Sequence, residues 1–318
     1  MKNNILIVAG DPNSINSEII FKCWKKLSKK YKKRLFLISN YELIKKQFTK
    51  LNYSINLKKL DNPDYYNSNE LKIINVDLDF KNPFKVNHKK SMLYVKKCLN
   101  LAHNLVLQKK AKGIINCPIN KKLFYPKKIG VTEYLASKCK IKKNSEVMLI
   151  ANNNFAVSPI TTHINLKHVS KSINKEKIIK KIKTINSWFI EYKNKKPKIG
   201  ILGLNPHNAE MRNNSEESKI ILPAVKKLKR FNINVKGPLV TDTIFIKNFK
   251  NFDVLVGMYH DQVLTPFKTI YGFNAINLTL GLNYPRVSPD HGVAIDLIGK
   301  NKANYHSLLK CVSFIISL

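Results

Sequence analysis

No GxG occurs anywhere in the 318 residues, so the GxGxxG dinucleotide fingerprint is absent, and so is the GxxxxGK[ST] phosphate loop. There is no GxSxG nucleophile elbow either. Any nucleotide must be held without those loops. Cysteine is scarce: the five residues (23, 98, 117, 139 and 311) are widely spaced and form no CxxC. That excludes a disulfide framework and a Cys-rich zinc module, and it suits a reducing compartment. Long apolar runs are missing too. Val147 to Leu166 is uncharged, but Asn152, Asn153, Asn154, Pro159 and His163 argue against a membrane span. The start of the chain has only a short apolar run before Asp11 and no signal-peptide pattern. These absences predict a cytoplasmic protein with no membrane segment.

Acid is the other shortage. Asp plus Glu number 20 against 57 Lys plus Arg, a net charge of +37, and only four of the cations are Arg. Lysine, isoleucine and asparagine, all abundant here, share A/T-rich codons, so genome composition accounts for much of this charge. The alternative is a polyanion or nucleic-acid binder using runs such as Lys25 to Arg34. No recognised nucleic-acid motif or aromatic stacking platform accompanies that run. With 44% apolar residues the chain can bury a large core, and its length predicts two domains.

Short apolar runs alternate with amphipathic stretches. Strands are predicted at 5–9, 35–38, 71–76, 113–116, 147–150, 155–161, 198–204, 252–257 and 275–280. Several are apolar on both faces, as strands buried between helices are. Helices are predicted over Glu18 to Tyr31 and Glu176 to Ile190, each with apolar residues at helical spacing and lysines opposite. This alternation predicts an α/β fold with a largely parallel sheet. No long Gly/Ser/Pro linker marks a domain boundary, so a second domain is expected to be inserted or closely packed rather than tethered.

The chemistry-bearing residues cluster where apolar runs end: Gly10-Asp11-Pro12, Cys117-Pro118-Ile119-Asn120-Lys121, Thr161-Thr162-His163, Asn205-Pro206-His207 and Tyr259-His260-Asp261. Ligands of open α/β sheets bind beyond the carboxyl ends of strands. His163, His207 and His260 occupy equivalent places, and three imidazoles with an open position make a catalytic divalent site. Structural histidines fit the same spacing, and periodicity does not decide between the two. Further on come Lys268, Asn277, Arg286 and Asp290-His291-Gly292. The planar fork of Arg286 suits carboxylate or phosphate, and a surface salt bridge is the alternative. The 290–292 segment opens an apparent helix over Val293 to Ile298. It would either offer backbone N–H groups to a nucleotide or serve as a plain cap.

These segments resemble the 4-hydroxythreonine-4-phosphate dehydrogenase family of vitamin B6 biosynthesis. LGLNYPRVSPDHGVAIDLIG, ending at Gly299, is similar to the family's LGLPxxRTSxDHGTAxxxAG. MYHDQVLTPFK, ending at Lys268, is similar to MYHDQGLxxxK. TTHINLKHV, LNPHNAE and GPLVTDTIF resemble TTHIPLKDV, LNPHAGE and GPLPADTLF. The resemblance runs from Gly10 to about Ala303.

It implies NAD-dependent oxidation of 4-phosphooxy-L-threonine, with decarboxylation to 3-amino-1-hydroxyacetone phosphate on the way to pyridoxal phosphate. The implied fold is the two-domain isocitrate/isopropylmalate dehydrogenase type, with the active-site cleft between domains and a homodimer sharing the site. Residues 1–120 with 275–318 would form the nucleotide-side domain, and 121–274 the metal and dimer side. His163, His207 and His260 match the family's ligands for a divalent metal (Zn, Mg, Co or Mn). Thr132, Lys268, Asn277 and Arg286 match substrate-binding positions, and Asp290, His291 and Gly292 match the loop that receives NAD or NADP. Lys268 and Asp242 are the candidates for taking the hydroxyl proton.

Some positions depart from the family pattern. GHTEFLA reads GVTEYLA, placing Val131 where a substrate-contacting His stands. GDPAGIGPE reads GDPNSINSE, TAPINK reads NCPINK, and the Gly-rich loop after Glu210 is replaced by Met211-Arg212-Asn213-Asn214. Val131 offers phosphate no hydrogen bond. A dehydrogenase of a phosphorylated threonate-like hydroxy acid is therefore the second reading.

Overall fold

Apolar runs with no wet face set up the first folding unit of the computed structural model, Met1–Ser137 together with Asn283–Leu318. The structure describes residues 3–124, 130–139, 141, 145–272 and 274–318. The unit's strands are β1 (Ile5–Val8), β2 (Leu35–Ser39), β3 (Asn56–Leu60), β4 (Glu70–Asn75), β5 (Gly113–Asn116) and β12 (Arg286–Pro289). They lie in the order β3-β4-β2-β1-β5-β12, and every pairing is parallel. β1, β2 and β5 are buried at every position, which is why their sequences do not alternate. Ile5 stands opposite both Leu35 and Gly113.

Helices between these strands start at side-chain caps where the sequence supplies one. Asn40 accepts from the Leu43 N–H at 2.9 Å to open Tyr41–Lys50, and Asn87 accepts from the Lys89 N–H at 2.9 Å to open His88–Leu107. The single helix expected over Glu18 to Tyr31 is broken. It runs Asn16–Lys26, and a separate turn spans Lys29–Lys32. Leu27 between them takes an extended conformation (ψ 142°) and stays buried, so the chain bends before the pattern is complete.

The second unit, Lys138–Leu282, interrupts the first in sequence. Its strands are β6 (Val147–Ala151), β7 (Ala156–Pro159), β8 (Ile199–Leu202), β9 (Val235–Leu239), β10 (Val254–Gly257) and β11 (Ile276–Leu280), in the order β11-β6-β7-β10-β8-β9. β7, β10, β8 and β9 are mutually parallel, whereas β6 runs antiparallel to both neighbours. Phe155, Phe249 and Phe267 anchor a core with Ile150, Leu202, Leu255 and Val263; the Phe155 and Phe249 rings meet edge-on at 5.1 Å.

Three strands went unread in the sequence. β3 is the lysine-bearing Asn-Leu-Lys-Lys-Leu and is largely exposed, β9 contains Gly237-Pro238, and β12 is only four residues long. β3 and β9 are edge strands of their units, where lysine and proline are tolerated. Among the described residues, no helix is long and apolar enough to cross a membrane.

Candidate active site

Because β7, β10, β8 and β9 run parallel, their carboxyl ends share one edge of the second unit, and each delivers a polar segment there. β7 leads to Thr161-Thr162-His163, β8 to Gly203 and on to His207, β10 to His260, and β9 to Thr241-Asp242. The His163 and His260 rings lie 5.7 Å apart between centroids. His260 opens the helix His260–Tyr271, and its Nδ1 is 2.6 Å from Asp261 Oδ1. A neutral imidazole donating from Nδ1 to that carboxylate leaves the Nε2 lone pair for a ligand.

His207 sits differently. Residues His207, Asn208, Ala209, Glu210 and Met211 form a left-handed turn with φ values of 46°, 57°, 50°, 47° and 57°. None is glycine, and a left-handed L-residue costs roughly 1–2 kcal/mol. The turn projects His207 outward, with its side chain 68% exposed and its Nδ1 3.9 Å from Asp242 Oδ2. Among the described residues, no three His, Cys, Asp or Glu side chains are grouped closely enough to hold a metal ion. The structure thus brings His163 and His260 together and places His207 beside Asp242. Imidazoles suit a divalent cation by their chemistry, and that of His260 is already oriented by a carboxylate.

Glu217, which the sequence reading overlooked, fixes the chain ahead of His207. It is fully buried in a π-helical turn, Glu217–Ile221, and its carboxylate accepts from the Leu204 and Asn205 N–H groups at 2.7 and 2.8 Å and from Asn205 Nδ2 at 3.0 Å. Burial pushes its pKa up, but these bonds outweigh burial and hold the carboxyl below its ordinary value. Lys268 lies half-buried roughly two turns after His260 on the same helix. Asn277 is on β11 and its Oδ1 is buried without a hydrogen-bond partner.

The remaining predicted residues belong to the first unit. Arg286 begins β12 and is only 4% exposed. Its Nε donates to Asn116 Oδ1 at 2.6 Å and its Nη1 lies 3.5 Å from Thr132 Oγ1. Burial pushes the guanidinium pKa down to about 10, so it stays charged at neutral pH. Asn116, where the apolar strand β5 ends, is thus a second residue the sequence reading did not single out. The Asp290 N–H donates to Ser307 Oγ at 3.0 Å, and the space where a Cβ would stand on Gly292 is open. The helix expected over Val293 to Ile298 is reduced to one 3-10 turn, Ile295–Leu297. Ala294, in a left-handed conformation (φ 42°), prevents a longer one. That leaves an irregular, partly exposed loop, with Gly292, Ile295 and Asp296 at the surface. The basic run of the polyanion reading is also in this unit, where Lys29, Lys30, Lys33 and Arg34 line an open depression with Tyr66.

Comparison with known proteins identifies the family. The family model described as pyridoxal phosphate biosynthetic protein PdxA matches residues 31–315. A 4-hydroxythreonine-4-phosphate dehydrogenase of Sulfurihydrogenibium sp. is 39% identical, over 99% of this chain and 98% of its own length. A relative from Oceanobacillus iheyensis, provisionally named a D-threonate 4-phosphate dehydrogenase, is 29% identical over 98% of this chain and 96% of its own. Among solved structures, the 4-hydroxythreonine-4-phosphate dehydrogenase of Klebsiella pneumoniae superposes with a TM-score of 0.87 at 26% identity, covering 99% of this chain and all of the other.

Proposed function

Because the chain belongs to the pyridoxal phosphate biosynthetic protein PdxA family, we propose that it oxidises 4-phosphooxy-L-threonine with NAD, the product losing carbon dioxide to give 3-amino-1-hydroxyacetone phosphate. The observation that carries this reading is the shared strand edge on which β7, β8, β9 and β10 deliver His163, His207, Asp242 and His260.

In this reading His163, His207 and His260 would hold one divalent cation, Zn, Mg, Co or Mn. When bound, that cation supplies Lewis-acid polarisation of the substrate oxygen, and NAD or NADP supplies the hydride acceptor. The chain's own residues do the rest. Arg286, already braced by Asn116, pairs with an anionic group of the substrate. Thr132 extends the same contact, and the buried Asn277 Oδ1 accepts from a substrate donor such as the amino group. Lys268 counters the second anionic group. Asp242 and Lys268 are the candidates to take the hydroxyl proton. Asp290, His291 and Gly292 cradle the dinucleotide in their partly exposed loop.

A homodimer is part of the proposal. Ile164, Leu166, Met211 and Ile246 are exposed apolar residues on the segments that carry the histidines and Asp242, and a second copy would cover them.

The second reading, a dehydrogenase of a phosphorylated threonate-like acid, is favoured by Val131 and by the relative named for D-threonate 4-phosphate. Purified protein given NAD, a divalent cation and either 4-phosphooxy-L-threonine or phosphorylated threonate separates the two. NADH from the first substrate at the higher kcat/KM supports the main reading, and preference for the second moves the assignment.

A further inference from the structure

Gln262 is the third residue of the helix His260–Tyr271 and is 7% exposed, with a side chain that points back toward the strand ends. Its Oε1 accepts from the Met258 N–H at 2.6 Å, and its Nε2 donates to Gly203 O at 2.7 Å and to Thr241 Oγ1 at 3.0 Å. Each partner belongs to a different segment. Met258 links β10 to His260, Gly203 precedes His207 on the exit from β8, and Thr241 adjoins Asp242. The Met258 carbonyl in turn accepts from Thr161, through its N–H at 3.1 Å and its hydroxyl at 2.7 Å, two residues before His163. One carboxamide and the adjoining Met258 residue therefore join all four segments. Gly257 makes room for this: a Cβ there would stand 2.8 Å from Gln262 Oε1. Few side chains could replace the amide, which must donate twice and accept once in a buried place.

We propose that Gln262 is a positioning residue that sets the relative placement of His163, His207, His260 and Asp242, without itself contacting cation or substrate. The inference rests on the reading that these histidines hold a divalent cation. Outer partners that orient ligands typically contribute ten- to hundredfold in metal affinity.

The test compares full-length wild type with Gln262→Glu, Gln262→Met and Thr241→Val. Each is titrated with Co(II) while visible absorption is followed, and each is melted without metal. Gln262→Glu keeps the acceptor for Met258 but loses the donor to Gly203. Gln262→Met loses every bond, and Thr241→Val loses one. Thr184→Val, which removes a hydroxyl bond to Ser145 O outside these segments, is the control for a purely structural loss. The expected result is Co(II) affinity lowered about ten- to hundredfold by Gln262→Glu, more by Gln262→Met and least by Thr241→Val, with an altered absorption band. Thr184→Val should lower the melting temperature and leave Co(II) binding unchanged. Co(II) affinity and spectrum in Gln262→Glu within twofold of wild type would overturn the proposal. Should Gln262→Met fail to fold, Gln262→Glu and Thr241→Val still decide. A wild type that binds no Co(II) would instead overturn the histidine reading underneath.

Discussion

Arg286 in the first unit is almost completely buried and clamped by Asn116, while His207 in the second stands out in solvent on a strained turn. Asp242, beside it, is also exposed, with 58% of its side chain accessible. The difference separates two ways of building a site. A buried, hydrogen-bonded cation is set before any ligand arrives, and its desolvation is met by the fold. Exposed imidazoles keep their water until a ligand or a second copy displaces it, so their geometry depends on the hydrogen bonds behind them. Anion recognition is accordingly the rigid part of the proposed chemistry, and ligation of a cation the adjustable part.

The largest effect that would sharpen this contrast concerns Arg286. A lysine ammonium cannot reach Asn116 and Thr132 together as the guanidinium fork does, and weakening a buried charge contact costs about 2–5 kcal/mol. Arg286→Lys is expected to lower kcat/KM by about a hundredfold, chiefly through KM, in steady-state kinetics with the phosphorylated substrate. An unchanged KM would break the comparison.

Lys72 provides a second buried cation in the same unit. It lies fully buried on β4, donating to Lys32 O, Lys33 O and Asn67 O at 2.6, 2.9 and 3.0 Å. Burial lowers its pKa to about 8 from an ordinary 10.5. Between those values the unfolded chain binds more protons than the folded one, so this group makes stability rise with pH. Its contribution is on the order of 3 kcal/mol at most. Denaturant unfolding at pH 8 and pH 10 should show a smaller rise in Lys72→Met than in wild type. Equal rises would mean that Lys72 titrates normally.

The smallest effect lies on the strained turn. Glu210 has φ 47° and an exposed side chain, so Glu210→Gly removes left-handed strain at the expense of a more flexible unfolded chain. Thermal unfolding should show a gain of about 0.5–1 kcal/mol. A loss of stability would mean that the fold favours the turn more than its backbone angles suggest.

The strands buried on both faces were legible because Ile5–Val8, Leu35–Ser39 and Val254–Gly257 read as unbroken apolar runs. β3 and β9 were not, because edge positions accept the lysines and proline that argue against a strand. The motifs named the candidate residues, yet the left-handed turn at 207–211 was invisible without a glycine to mark it. The bracing roles of Asn116 and Gln262 were hidden for another reason. A polar residue beside apolar neighbours reads as a strand end or a helix start, and its partners, 170 and 59 residues away, come from the fold. Glu217 is the same case at shorter range.

The most direct test of the histidine site is the divalent metal content of the purified chain, measured by elemental analysis alongside turnover, in wild type and His207→Ala. The expectation is about one ion per chain in the wild type, with both metal and NADH formation largely lost in the variant. Metal content unchanged by His207→Ala would contradict it.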